Sequence, residues 1–201
     1  MPLGTHKATL FGVAGVSTEG DVVLLSTQTA SGSASLDFTL PTVYKQVVFG
    51  LYNVIPVTDS TSLGFQVNAS DDVGGSFNQS YITSASFYAH NPETGSPPAN
   101  GLLYNDTSDQ AQGTAFQGIS VNTGNDADHC LAGELQVFSN TSTTYVKHFL
   151  SRVTCTHPSD YEFDSFVGGY INQPLALSEI SFKMSSGNIS SGTIKMWGVK
   201  N

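Results

Sequence analysis

The chain has 201 residues and a formal net charge of −9, with seven Lys and Arg against sixteen Asp and Glu. Apolar residues make up 39% of it and aromatic ones 10%, enough to support a core, and the composition is not the Glu, Lys, Leu and Ala mixture of a coiled coil. The charge balance argues against a nucleic-acid partner, which is held mainly by Lys and Arg; no apolar run approaches the ~20 residues of a membrane-spanning helix; and two Cys do not make a disulfide scaffold.

In chain order, the opening Met1-Pro-Leu-Gly-Thr-His-Lys has no apolar leader stretch, so synthesis in a cytoplasm without a signal peptide is expected. Residues 1–33 read as an N-terminal arm with strands at 8–13 and 21–27, able to dock on another protein. From residue 34 the dominant pattern is alternation of period two. Ala34, Leu36, Phe38 and Leu40 alternate with Ser35, Asp37 and Thr39. A strand over 43–54 leads to Pro56, which donates no ladder hydrogen bond and so ends the pairing. Asp59 to Ser62 turns the chain into Leu63, Phe65, Val67 and Ala69. Asp71-Asp72-Val73-Gly74-Gly75 reads as a hairpin or bulged loop. After a strand at 80–90, residues 91–114 are too long for a simple turn and predict a functional or flexible loop. Within it, 106–112 can form one helical turn capped by Asp106 or Thr107.

Further strands are expected at 115–121, 131–138, 145–153 and 161–170. Ile180, Phe182 and Met184 alternate with polar residues, Ser185 to Asn188 turns, and Ile194, Met196 and Gly198 share one face of the last strand. About a dozen strands with little or no helix, in one unit over 34–201, predict an all-β antiparallel sandwich or jelly roll.

Residues able to carry chemistry are sparse. Cys130 and Cys155 read as two free thiols, as a cross-strand disulfide, or as zinc ligands with His129 and His157. Neighbours on a strand point to opposite faces, so His129 and Cys130 could share an ion only from a loop. Asp126 and Asp128, in Asn122–Asp128, offer alternating oxygens to a cation, although turns use the same residues. His148 lies in a strand with Val146 and Leu150 on its face and reads as structural. No His sits in a nucleophile elbow. Gly74-Gly75 and Gly168-Gly169 have no helix behind them, so no phosphate loop and no cofactor are expected. Tyr88, Tyr104, Tyr161, Tyr170 and Trp197 could stack on a sugar, and Tyr104 stands alone in the long loop. No enzyme is expected.

The end of the chain, Gly192-Thr-Ile194-Lys-Met-Trp197-Gly198-Val-Lys200, resembles the close of many tailed-bacteriophage virion proteins, roughly Gly-x-Ile-x-Leu-Tyr-Gly-x-Lys, with Met196 and Trp197 in place of Leu and Tyr. A second segment is similar to the same group: an aromatic strand from Tyr44, then Asn53-Val-Ile-Pro56-Val-Thr-Asp59, an alternating strand, Gly74-Gly75-Ser76 and Tyr81. The matched pieces cover about a quarter of the chain. The resemblance implies a non-enzymatic, often trimeric part of a virion surface, either head decoration or short fibre. Its contacts would be with capsid or tail proteins, and it would neither bind nucleic acid nor insert in a membrane. The alternative it carries is a receptor- or carbohydrate-binding module of a tail fibre or spike, with a host-surface glycan as ligand.

Overall fold

The computed structural model describes residues 21–95 and 102–200. The strand expected at 8–13 and the arm as far as residue 20 lie outside the described residues.

Twelve strands follow in order: β1 (Val22–Ser33), β2 (Leu36–Thr39), β3 (Gln46–Pro56), β4 (Leu63–Ala69), β5 (Tyr81–Pro92), β6 (Leu102–Tyr104), β7 (Gln117–Gly118), β8 (Leu131–Phe138), β9 (Lys147–His157), β10 (Tyr161–Asn172), β11 (Leu177–Met184) and β12 (Ile189–Val199). Among the described residues the only helical piece is a 3-10 turn at Asp106–Ser108. Its cap position is Asn105, not Asp106 or Thr107; the Asn105 amide donates to Ser108 Oγ at 2.8 Å and its oxygen accepts from Thr107 Oγ1 at 2.9 Å.

Four antiparallel pairs are nested: β1 with β12, β2 with β11, β3 with β8, and β4 with β7. That is the winding of a jelly roll. One layer runs β2-β11-β4-β7; the other runs β1-β12-β3-β8 and continues through β9-β10-β5-β6. The extension comes from two insertions. β5 and β6 interrupt the β4-to-β7 connection, and the β9–β10 hairpin interrupts β8-to-β11. Residues 22–33, assigned by sequence to the arm, are the outermost strand of the large sheet; Val22 to Ser33 pair along β12, so the sandwich begins before residue 34.

Alternation sets the core. Leu36 and Phe38, Ile180 and Phe182, Leu63 and Phe65 point from the small sheet toward Phe49, Leu135 and Ile194 of the large one, and all are buried. Phe38, Phe49 and Phe182 meet with centroids 5.1–6.1 Å apart, tilted or edge-on, the offsets aromatic rings prefer. The C-terminal signature is structural. Gly192 has φ +118°, and a Cβ there would lie 2.5 Å from Val54 Cα, where β3 and β12 bulge against each other. At Gly198 a Cβ would fall 2.5 Å from the Tyr44 ring, the close approach expected of it. Pro56 closes β3, and Gly74 (φ +74°) with Gly75 turns the chain where expected. At the far end of the last pair, Lys200 N donates to Asp21 O at 2.8 Å, so β1 begins where β12 ends.

Among the described residues no second sheet lies behind the extension. The segment leading to β7 runs along the β5 edge, through Ile82 N to Gly113 O at 2.7 Å, Ser84 N to Gln110 O at 3.0 Å and Asn105 N to Ser86 O at 2.9 Å, and reaches the inner face at the Ser84 hydroxyl, 3.0 Å from Gln110 N and 2.7 Å from Gln117 Oε1. Loop backbone brings polar groups that need partners, and polar side chains supply them. Buried Gln66 donates to the carbonyls of Ser80, Thr114 and Ala115 at 3.0–3.1 Å and accepts from Val67 N at 2.8 Å.

Candidate interaction surface

Alternation that fills the core also decides what the other face of the large sheet shows. Following cross-strand partners outward, one row runs Leu24, Trp197, Val48, Gln136, Leu150, Gly168 and Ala85 across seven strands. Gln136 is its only polar member. The next row runs Thr27, Lys195, Gly50, Glu134, Arg152, Phe166, Phe87 and Tyr104. Among the described residues none covers this face. Leu150 is 58% exposed, Leu24 51% and Val22 59%.

The two rows meet at a shallow hollow of about 420 Å³ between β8 and β5, floored by Ala85, Leu150, Phe166 and Gly168. Phe87 and Phe166 stack at 5.0 Å with planes 13° apart. The Arg152 guanidinium lies 4.9 Å over the Phe166 ring and forks onto Asp164, Nε to Oδ1 at 3.1 Å and Nη2 to Oδ2 at 2.7 Å. Such an exposed pair adds little to folding, but it holds the cation flat and neutralised. Burial, and next Asp164, push the neighbouring Glu162 carboxyl up from its ordinary value. The hollow therefore presents aromatic and aliphatic area with its cation paired, beside the Glu134 carboxylate, which accepts from Gln136 Nε2 at 2.9 Å. A surface of that kind suits another protein better than a small polar ligand.

A second hollow, about 380 Å³, lies on the outer face of the small sheet. Gly64 and Gly118, paired across β4 and β7, lie at its floor, and Phe77, Phe116 and Lys183 line it. Lys183 Nζ stands 4.0 Å over Phe116, and Phe77 has φ +51°, uncommon for a bulky residue.

The residues singled out by sequence are dispersed. Tyr104 is not in a loop: it lies on β6 opposite Phe87, and its hydroxyl bonds Asp109, which raises the phenol above its ordinary value. Tyr88 and Tyr161 join an inner cluster around Phe163. Trp197 packs edge-on against Tyr52, and Tyr170 against His148. His148 and Leu150 face outward and Lys147 faces in, so the apolar face read around His148 is the uncovered one. Lys147 is buried, bonds the Gln173 carbonyl, and has its ammonium form disfavoured by that burial.

Cys130 and Cys155 are free thiols. Cys155 donates to Val121 O at 3.0 Å, and burial pushes its thiol up. Asp126 and Asp128 sit in a turn closed by His129 N to Asp126 O at 3.0 Å. Asp128 is 4.0 Å from buried His129 Nε2, and Asp160 is nearer at 3.4 Å. Among the described residues no three of His, Cys, Asp and Glu converge to hold an ion, so Asp126, Asp128, Cys130 and Cys155 form no metal set. His90 and His157 stack on Phe163 at 5.0 and 5.3 Å. Burial lowers His157 below its ordinary value; Asp59 opposes this and His129 and His90 add to it.

Sequence reasoning missed Leu150, Phe87 and Phe166. The signal was present in β5, β9 and β10, which carry large apolar residues at both parities where one-sided burial needs one.

No family model and no curated protein matches the chain.

Proposed function

We propose that this chain is a non-enzymatic structural protein displayed on the outside of a phage particle, as head decoration or a short fibre component, working through protein–protein contacts. The observation that carries the reading is the uncovered row from Leu24 to Ala85, with the Phe87–Phe166 stack beside it. One row of this face is apolar across seven strands but for Gln136, beside a row that carries Lys195, Glu134 and Arg152. A net charge of −9 agrees with a place away from packaged DNA. The resemblance of the last strand names the kind of particle.

Immunogold labelling of particles from the source lysate tests it. Gold over heads means decoration, and gold confined to tails means a fibre or spike. Particles without label refute the reading.

One observation favours a carbohydrate-binding module instead: the hollow lined by Phe77, Phe116 and Lys183, where aromatic faces and an ammonium adjoin Ser62 and Ser185. Binding on a glycan array that is lost in Phe116→Ala, with the fold intact, would establish that module.

A further inference from the structure

Among the described residues the two sheets have four open edges, and three are blunt. β6 has three residues, β7 two and β2 four. β1 is different: it has 12 residues, Val-Val-Leu-Leu-Ser-Thr-Gln-Thr-Ala-Ser-Gly-Ser. On one side it is paired along most of its length with β12, with a single irregularity between Leu24 and Ser26. On the other side it ends the sheet.

An unpaired edge offers donors and acceptors to any further strand. Proteins usually protect such edges by shortness, lysine, proline or an inward charge. β1 has none of these and only one bulge, at Leu25 near its start, and its Val22 and Leu24 side chains bring the apolar outer row up to the edge.

We infer that β1 pairs antiparallel with β1 of a second copy across a two-fold axis, joining two large sheets edge to edge. A strand laid against its own copy by a two-fold is antiparallel, the more stable ladder. Centred on Gln28, the pairing sets Thr27 opposite Thr29 on the outer face and Ser26 opposite Ala30 on the inner one. The charge distribution selects the occupant. Two chains of −9 repel in most orientations, but β1 itself carries no charge, and the carboxylates flanking it, Asp21 before its start and Asp37 on β2, whose carbonyl Gln28 bonds, lie outside the ladder. Twelve residues span ~40 Å, and a sheet edge ~10 Å thick with flanking side chains gives roughly 1,000 Å² in total, at the low end of specific interfaces. Pairing of this kind is isologous and closes at two copies, giving a dimer in place of the trimer that the resemblance implies.

Analytical ultracentrifugation of the full chain between about 1 and 100 μM, with hydrogen exchange at both ends of that range, tests it. Expected are a mass of two chains falling to one on dilution, and β1 amides protected only at the higher concentration. Thr27→Lys with Ser31→Lys, both exposed, should weaken the dimer at least tenfold at unchanged melting temperature. Leu150→Glu, on the outer face away from this edge, should leave it intact. A chain monomeric throughout, a mass of three, or a dimer indifferent to the two lysines overturns the inference. So does β1 protection independent of concentration, which would mean that the chain's own residues cover the edge.

Discussion

The large sheet is backed in two ways, and the backing dictates what its inner face is made of. Over β12, β3 and β8 the opposing layer is a sheet, whose backbone groups are already paired, so the space between fills with Phe38, Phe49, Phe182 and Leu135. At β5 the inner face is met by the loop leading to β7, with its carbonyls and amides. There the inward Ser84 hydroxyl meets Gln117 Oε1 and Gln110 N, with Gln66, Gln110 and Gln117 reaching across. Sheet against sheet can be dry; sheet against loop needs hydrogen bonds.

Cutting the dry half has the largest effect. Phe49→Ala removes the ring between Phe38 and Phe182 and should cost about 3–5 kcal/mol, read as a lower urea midpoint with cooperativity kept. The wet half should fail locally instead. Gln66→Leu keeps the volume but strands the carbonyls of Ser80 and Thr114 and the Val67 amide, at about 3 kcal/mol, while Ala115 O keeps Gln110 Nε2. Hydrogen exchange should rise first at Ile82 and Gly113, while Phe49 and Val137 stay protected. Equal loss in both halves would mean that they unfold as one unit and that the contrast is only compositional.

A pair of neighbouring glycines separates the inner from the outer face at one place. A Cβ on Gly169 would lie 2.4 Å from Thr83 O and 2.8 Å from Phe149 Cζ, whereas on Gly168 the nearest atom is Leu150 Cδ2 at 3.3 Å. Gly169→Ala should cost about 2 kcal/mol, and Gly168→Ala about 0.5 kcal/mol or less, by thermal melts of the two variants.

The smallest effect is a slope with pH. Because burial holds folded His157 below the ordinary 6.5, the unfolded chain binds the extra proton first. Its contribution is complete above that value, declines as pH falls toward the folded one, and is level below. In His157→Phe, which retains a ring against Phe163, that part of the decline should vanish from urea midpoints measured between pH 7 and 5. An unchanged slope would assign it to other groups.

The sandwich was legible because one-sided strands advertise themselves. Ile180, Phe182 and Met184, or Leu36, Phe38 and Leu40, could face only a core. Less legible were residues whose surroundings come from distant chain. Gln66 looks like the solvent side of β4, yet it is fully buried, because Thr114 and Ala115 cross over it. Lys147 and His148 exchanged faces for a related reason: Val146 and Leu150 suggested an apolar inner side, and the sheet leaves that side open. Tyr104 appeared loop-borne because β6 is only three residues long and has no periodicity of its own. The outer row needs the register of seven strands, which no single segment encodes.

The contact between Lys200 and Asp21 sets how the domain answers a pull. With β1 starting beside the end of β12, tension between the two ends peels their ladder apart one hydrogen bond at a time. The same force applied between either end and the far side of the roll would load many bonds together. A pull on both ends should therefore open the domain at low force, beginning with β1.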